Sequence, residues 1–221
     1  YIKTFLIKNE DNKKNLDDLI TYLIIGIIIG GRLGYVLFYN FNYYFNNFFE
    51  ILVIWEGGMS FHGGLIGVFI STLIFCKKRN VNPYIFLDSI SAAAPIGIFF
   101  GRLANYLNSE LYGKETTVPW SVIFQKVDNI QRHPSQIYEA ILEGLLLFII
   151  LNIFIRSNFL NKRGLISALF LILYSIFRFF SEIFREPDPQ IGYIIYNLSM
   201  GQILSLFMLF FGIIIFLKNE K

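Results

Sequence analysis

Apolar residues in this chain form six long runs, which are separated by segments rich in Asn, Lys, Glu and Gly. The runs lie near 19–39, 61–76, 84–106, 135–155, 165–184 and 200–217. A helix needs roughly 20 residues to cross the hydrocarbon core of a bilayer, and each run is long enough or nearly so. The pattern predicts an all-α, polytopic integral membrane protein with about six transmembrane helices, folded as a single transmembrane domain over residues 1–221.

Composition supports this reading. Of the 221 residues, 55% are hydrophobic, and the mean hydropathy is +0.54, which is more apolar surface than a soluble domain of this length can bury. The net charge is only +3, and no block of like charges indicates nucleic acid as a partner. The single cysteine, Cys76, excludes an internal disulfide. With two histidines and no cofactor motif in the chain, we expect neither a metal site nor a cofactor.

Basic residues orient the predicted helices. Outside the spans, twelve Lys and Arg residues fall on the side of the N-terminus and four on the opposite, outer side. This asymmetry follows the positive-inside rule, so the N-terminal side and the C-terminus are predicted to be cytoplasmic. The remaining basic residues, Arg32, Arg102 and Arg178, lie inside spans, each toward the outer end of its helix.

These three arginines are the first candidates for function. An arginine inside a membrane costs at least about 2.5–3.5 kcal/mol on insertion scales, so it normally faces a cavity or a partner. Each of them alone is also explained by snorkelling to the interface. Three at one depth, in polar company, favour a shared anionic ligand. That company consists of His62, Asn105, Asn108, Glu110, Glu139, Glu143 and Glu182, and Glu182 shares a helix face with Arg178.

Two further features concern packing and the outer surface. The motifs GIIIG (26–30), GGRLG (30–34), GGLIG (63–67) and GIFFG (97–101) place small residues four apart. This spacing is typical of close helix contact in lipid, and the alternative is that the glycines make room for a headgroup. The long polar segment 107–134 predicts an outer-face arm that lies partly over the site, with a short strand within TTVPWSVIFQ (116–125).

Six sequence blocks, in order, resemble the signature segments of bacterial prolipoprotein diacylglyceryl transferases. They are GGRLGYVLFYN (30–40), GGMSFHGGLIG (57–67), PIGIFFGRLANYLNSELYG (95–113), RHPSQIYEAILEG (132–144), FRFFSEIFREPDPQIG (177–192) and SMGQILS (199–205). The chain departs from the pattern at Ala104 and Ser109, where family members commonly have glycine, and its outer segment is shorter. The family has seven spans, so we expect its first span to be missing from this chain.

The resemblance implies a transferase of lipoprotein biosynthesis in the bacterial plasma (inner) membrane, with its active site toward the outer leaflet. Such an enzyme moves the diacylglyceryl group of phosphatidylglycerol to the thiol of the lipobox cysteine of a prolipoprotein. It forms a thioether and releases glycerol phosphate. The implied partners are phosphatidylglycerol, the prolipoprotein lipobox peptide and membrane lipid, and we expect a monomer.

The resemblance also implies site residues. The matching positions are His62, Arg102, Asn105, Glu110, Gly113, Arg178 and Glu182. We expect Arg102 and Arg178 to bind phosphate, Glu182 to orient Arg178, and Asn105 to donate to the headgroup. Glu110 either anchors Arg102 or holds the arm, and Arg32 either lines the lipid path or is structural. His62 is the candidate base because imidazole titrates near neutrality, but it alternatively only positions the glycine turn, with the arginines activating the thiol.

Two other functions fit the same residues. A transporter or flippase for an anionic lipid or metabolite would use the arginines as its binding site, and an inactive relative would only bind lipid. A carrier needs polar groups along its whole path, whereas this chain concentrates them on the outer side. Asp88 is the exception near the inner side, where helix capping explains it more simply.

Overall fold

The computed structural model describes residues 2, 6–7, 9–157, 162–187, 192–195 and 198–220. Its helices are α1 (Glu10–Phe38), α2 (Phe41–Asn46), α3 (Phe61–Arg79), α4 (Pro83–Asn108), α5 (Ser135–Glu139), α6 (Leu147–Arg156), α7 (Leu165–Ser181) and α8 (Met200–Glu220). The π-helical segment Ala140–Leu146 joins α5 to α6, and 3-10 turns cover Phe48–Leu52 and Ile54–Glu56. Two antiparallel ribbons pair β1 (Val122–Ile123) with β2 (Gln131–Arg132), and β3 (Tyr193–Ile195) with β4 (Leu198–Ser199).

The predicted all-α membrane architecture is confirmed. Among the described residues, five helices are long and apolar enough to cross a membrane: Glu10–Phe38, Phe61–Arg79, Pro83–Asn108, Ser135–Arg156 and Met200–Asn219. The apolar helix α7 has 17 residues and is shorter than these five, so six spans stay a prediction. Helix α1 begins earlier than the predicted run because Asn9 caps it and accepts a hydrogen bond from the Asp11 amide at 2.8 Å.

The chain divides into two compact units, Tyr1–Leu87 and Asp88–Lys221, and a single domain stays a prediction. In the first unit, α1 and α3 pack antiparallel through glycines. A Cβ added at Gly34 would lie 2.6 Å from the Gly63 Cα, and one added at Gly26 would lie 2.6 Å from the Gly67 carbonyl oxygen. Close packing by GIIIG, GGRLG and GGLIG is therefore confirmed.

The motif GIFFG behaves differently. A Cβ added at Gly97 or Gly101 would meet no atom within 4 Å in the part of the chain that the structure describes. The prediction of close helix packing at this motif is therefore wrong. The close contact of this part of α4 is made on a different face by Phe99, whose Cβ lies 2.6 Å from where a Cβ at Gly144 would be.

Asp88 links the start of α7 to α4 within the second unit. Its carboxylate accepts hydrogen bonds from the amides of Gly164 and Ser167, at 2.7 and 2.9 Å, and from the Ser167 hydroxyl at 2.7 Å. These amides belong to the first turn of α7 and its cap, which have no partner within the helix. The capping role predicted for Asp88 is confirmed, and the helix that it caps is α7.

The arm 107–134 contains the predicted short strand, as β1. Val122 pairs with Arg132 and Ile123 with Gln131. The arm is attached to the end of α7, because the Lys114 amide donates to the Phe184 carbonyl at 2.9 Å. A Cβ at Gly113 would lie 2.8 Å from the same oxygen, so this close approach requires glycine. The position of the arm relative to a membrane and to the site stays a prediction.

Candidate active site

Three segments of the second unit bring charged side chains together in a buried ion cluster. It is built by α4, by the continuous helix Ser135–Arg156, and by α7 with the turn that follows it. Its members are Arg102, Glu139, Glu143, Arg178, Glu182 and Arg185. Three arginines face three glutamates, so the cluster is neutral when all its carboxylates are ionised.

Glu139 lies between the two central arginines. Its Oε2 atom is 2.9 Å from Nε of Arg102 and also accepts a hydrogen bond from Nη1 of Arg178. The Glu139 side chain is fully buried. A shared carboxylate offsets the repulsion between two nearby guanidinium groups and holds both at one place.

Glu143 supports the same two arginines from one turn further along. Its oxygens lie 3.5 Å from Nη2 of Arg102 and 3.5 Å from Nη1 of Arg178. The Ser181 hydroxyl donates to Oε1 of Glu143 at 3.0 Å. Glu143 lies within the π-helical segment Ala140–Leu146, and π-helical turns occur mainly as short insertions that frequently mark functional sites.

Glu182 connects Arg178 to the start of α8. Its Oε2 lies 2.5 Å from Nη2 of Arg178 and 3.7 Å from Nη1 of Arg185, while Oε1 accepts from the Ser199 hydroxyl at 3.0 Å. A Cβ at Gly201 would lie 2.9 Å from Oε1, so the missing side chain at this position leaves room for the carboxylate. The pairing predicted for Glu182 and Arg178 is present.

The two central arginines differ in exposure. The Arg102 side chain keeps 13% of its surface accessible and Arg178 keeps 5%. Arg102 forms its ion pairs through Nε and Nη2, whereas Arg178 uses both terminal nitrogens. The side chain of Arg102 is therefore the more accessible of the two.

Glu110 does not anchor Arg102, so that alternative is wrong. Its carboxylate accepts from the Asn105 side chain at 2.9 Å and lies 3.5 Å from the Asn108 amide nitrogen. The Glu110 carbonyl instead accepts from the Gln136 side chain at 2.6 Å. This bond attaches the beginning of the arm to α5 through the backbone, so a role of the Glu110 side chain in holding the arm stays a prediction.

Arg32, in the first unit, has a structural environment. Its Nε donates to the Ile51 carbonyl at 2.9 Å. Nη1 donates to the carbonyls of Gly57 and Gly58, at 2.7 and 3.2 Å. Nη2 donates to those of Glu50 and Val53, at 2.7 and 3.1 Å. A guanidinium group has five N–H donors, and these bonds account for all of them.

His62 lies in the first turn of α3 and is buried. Ser60, two residues before His62, caps the helix and accepts a hydrogen bond from the Gly63 amide at 3.2 Å. The His62 ring makes an edge contact with the Phe61 ring at 5.7 Å. This position is compatible with either predicted role, the base or the turn.

The arm has its own electrostatic contacts. Arg132 pairs with Asp128 at 2.7 Å and covers the Tyr112 ring at 4.8 Å. The hydrogen bond from Arg132 lowers the pKa of the Asp128 carboxyl. Burial, and then the positive charge of Lys114, lower the pKa of His133, whose Nδ1 lies 3.1 Å from the Tyr138 hydroxyl.

The sequence-based prediction named Glu139 and Glu143 among the polar residues near the arginines but gave them no individual role, and it did not name Tyr174. The i,i+4 spacing of Glu139 and Glu143 signalled a shared helix face, but it did not show that both arginines converge on that face. Tyr174 is fully buried one turn before Arg178 on α7. Its only signal in the sequence was that i,i+4 spacing to the arginine.

Comparison with known proteins decides the family. The family model described as Prolipoprotein diacylglyceryl transferase matches residues 1–218. The chain belongs to the prolipoprotein diacylglyceryl transferase family. As a member of this family with several apolar helices, it is a multi-pass membrane protein.

Individual relatives in this family carry the same description. A phosphatidylglycerol–prolipoprotein diacylglyceryl transferase of Rickettsia bellii (strain OSU 85-389) is 55% identical over 209 residues, covering 94% of this chain and 80% of the relative. The protein of that name from Rickettsia akari is 53% identical, with 93% and 80% covered. The one from Wolbachia pipientis wMel is 48% identical over 219 residues, with 96% and 83% covered.

Proposed function

We propose that this protein transfers the diacylglyceryl group of phosphatidylglycerol to the cysteine thiol of a prolipoprotein lipobox. The observation that carries the proposal is the convergence of Arg102 and Arg178 on the buried carboxylate of Glu139. Two guanidinium groups held side by side suit a phosphodiester, because arginine binds phosphate through paired N–H donors. Family membership and the names of the relatives support the same substrates.

The reaction is a displacement at carbon. The cysteine sulfur attacks the glycerol carbon that is bonded to the phosphate oxygen, so an S–C bond forms while the C–O bond breaks. The bonding electron pair leaves with the oxygen of glycerol phosphate, and the thiol proton passes through a base to that product or to water. The site must therefore favour thiolate and stabilise negative charge on the leaving phosphate.

Arg102 and Arg178 take different parts in this scheme. Arg102, the more exposed of the two, contacts the phosphate through Nη1, the nitrogen that its ion pairs with Glu139 and Glu143 do not use. Arg178 is held on two sides by Glu139 and Glu182 and supplies fixed positive charge behind it. Preorganised charge of this kind stabilises a transition state without reorganisation during the reaction.

The remaining predicted residues support these two. Asn105 donates to Glu110 and, in the proposal, is available to a headgroup when that bond opens. His62 either takes the thiol proton or positions the turn before α3. We assign Arg32 a structural role, because backbone carbonyls take up its donors. The close approach of Gly113 to the Phe184 carbonyl explains the glycine at this position without a ligand.

Charge asymmetry supports the proposed orientation. Twelve basic residues outside the predicted spans lie on the N-terminal side and four on the other. This asymmetry supports the proposal that the C-terminus is cytoplasmic and that the site lies toward the outer leaflet of the plasma membrane. For the oligomeric state, we propose a monomer as the working unit.

The test uses the full-length protein in phosphatidylglycerol vesicles with a synthetic lipobox peptide. The expected products are a peptide heavier by one diacylglyceryl group through a thioether, and free glycerol phosphate. A peptide with serine in place of the cysteine, and vesicles of phosphatidylcholine, are the matched controls. Absence of both products from a protein with a normal thermal unfolding transition would refute the proposal.

The carrier alternative makes a different prediction in the same vesicles. A flippase moves labelled phosphatidylglycerol between leaflets without the peptide, whereas the transferase releases glycerol phosphate only with it. The structure disfavours a carrier, because Asp88 is engaged in capping α7. That carboxylate does not contribute to a polar path near the inner side.

A further inference from the structure

The α1–α3 connector, residues 39–60, exposes its largest apolar side chains. It consists of α2 and the two 3-10 turns Phe48–Leu52 and Ile54–Glu56. Phe49 is 85% exposed and Trp55 is 78% exposed, and Phe41, Phe45, Phe48 and Leu52 are also more exposed than buried. A patch of this size on a soluble loop would be an aggregation hazard.

The inner side of the connector is polar. It holds the buried guanidinium of Arg32, which donates to five backbone carbonyls, and the buried ring of Tyr44 at 5.0 Å from the Arg32 Cζ. Gly58 closes the turn with φ +76°, and a Cβ there would lie 2.8 Å from Nη1 of Arg32. The connector thus encloses the Arg32 guanidinium of α1 and exposes its own phenylalanines, the reverse of a loop that faces water.

Topology places the connector at a membrane surface. Helices α1 and α3 can each cross a membrane, and their glycine contacts pair the end of α1 with the start of α3. Because Phe38 ends α1 and Phe61 begins α3, both ends of the connector emerge at the same surface. Exposed Asn42, Asn46 and Glu56 among the aromatic side chains indicate the interface rather than the hydrocarbon core.

We propose that the connector inserts its aromatic edge into the lipid leaflet at that surface and acts as a fixed interfacial anchor. The partner is the boundary between headgroups and acyl chains, where aromatic side chains are enriched. Arg32 is the internal clamp, because it ties together the backbone carbonyls from residue 50 to residue 58. This proposal is independent of the transfer reaction.

The chain offers a direct probe, because it has only two tryptophans, Trp55 and Trp120. Trp120→Phe leaves Trp55 as the sole reporter in mixed phosphatidylcholine and phosphatidylglycerol vesicles. We expect blue-shifted emission, strong quenching by lipids brominated near the headgroup, weaker quenching by lipids brominated near the chain ends, and protection from aqueous iodide. The difference between the wild-type protein and Trp55→Phe gives the same reading with Trp120 intact.

Two outcomes overturn the proposal. Water-like emission of Trp55 that iodide quenches and brominated lipid does not would show that the edge faces solvent. Blue-shifted emission insensitive to brominated lipid, together with cross-linking between chains, would show that a second copy covers it. Trp120→Phe combined with Arg32→Lys tests the clamp. We expect a loss of lipid quenching of Trp55. An unchanged quenching profile would show that Arg32 does not hold the connector in place.

Discussion

Glu182 lies one helical turn after Arg178, and its Oε2 atom is 2.5 Å from Nη2 of that arginine. The two residues share a helix face and are both buried, so the pair forms with little loss of conformational freedom. Because Glu182 also accepts from Ser199, at the start of α8, the pair fixes the direction of Arg178 relative to that helix.

Glu182→Gln tests this pair. The amide keeps the size of the side chain but leaves a buried arginine with less compensating charge, and removal of one partner of a buried pair typically costs about 3–5 kcal/mol. We expect a lower thermal transition and a loss of transfer activity in the vesicle assay. Normal transfer at saturating lipid would show that the orientation of Arg178 does not depend on Glu182.

Glu139→Gln tests the carboxylate that both central arginines share. Because two guanidinium groups lose one counter-charge, we expect it to lower stability and transfer at least as much as Glu143→Gln, whose contacts are longer. Glu186→Gln is the matched control: Glu186 is half-exposed, it lies 3.4 Å from Arg132, and such surface pairs contribute about 0–1 kcal/mol. Equal losses in the three variants would contradict a central role for Glu139.

His62→Gln separates the two roles of the histidine. If His62 accepts the thiol proton, the variant loses turnover near neutral pH and recovers it as the solution approaches the thiol pKa of about 8.5. The pH dependence of the transfer rate measures this recovery. Near-normal turnover at neutral pH would assign His62 to the turn alone and leave thiol activation to the arginines.

Gly63→Ala tests the glycine contact between α1 and α3. A Cβ at Gly63 would overlap the Gly30 carbonyl oxygen, and overpacking of this kind costs about 1–3 kcal/mol. Gly64→Ala is the neighbouring control, since its Cβ would meet Ile27 at an ordinary 3.9 Å. We expect the thermal transition to fall for the first variant only, and a similar fall in both would show that helix backbone effects dominate.

Acidification is expected to weaken the arm through His133. Burial and Lys114 lower its pKa in the folded protein below the ordinary value of about 6.5, so the unfolded chain binds more protons in this range. The contribution of neutral His133 to the stability of the folded protein is therefore complete above about pH 6.5, and it is lost as the pH falls through the folded pKa. His133→Asn removes this titration, and we expect the thermal transition to vary less with pH than in the wild type. Parallel plots of the thermal transition against pH for the two proteins would contradict this role of His133.

The sequence predicted helices better than contacts between them. Long apolar runs identified the helices because a spanning helix needs length and hydrophobicity, and both are local properties. The pairing of Glu182 with Arg178 was likewise predictable from i,i+4 spacing. By contrast, the central place of Glu139 depends on how three separate segments pack, which no local pattern contains.

The wrong prediction for GIFFG and the open one for Arg32 have the same physical origin, because each depends on a contact with a distant segment of the chain. GIFFG has the spacing of a packing motif, but small residues promote contact only where another helix faces them. Arg32 resembled a site residue because it is a charge inside an apolar run. The sequence gives no sign that the connector folds back and offers its carbonyls to that charge.

The order of the charges along the chain has a consequence for biosynthesis. Arg102 is made before Glu139 and Glu143, and Arg178 follows them. A nascent chain that ends within the arm therefore carries a cation on α4 whose carboxylate partners do not yet exist. The buried ion pairs of Arg102 therefore form only after Ser135–Arg156 has been synthesised. The charge compensation of the cluster is complete only once Arg178 and Glu182 have also been made.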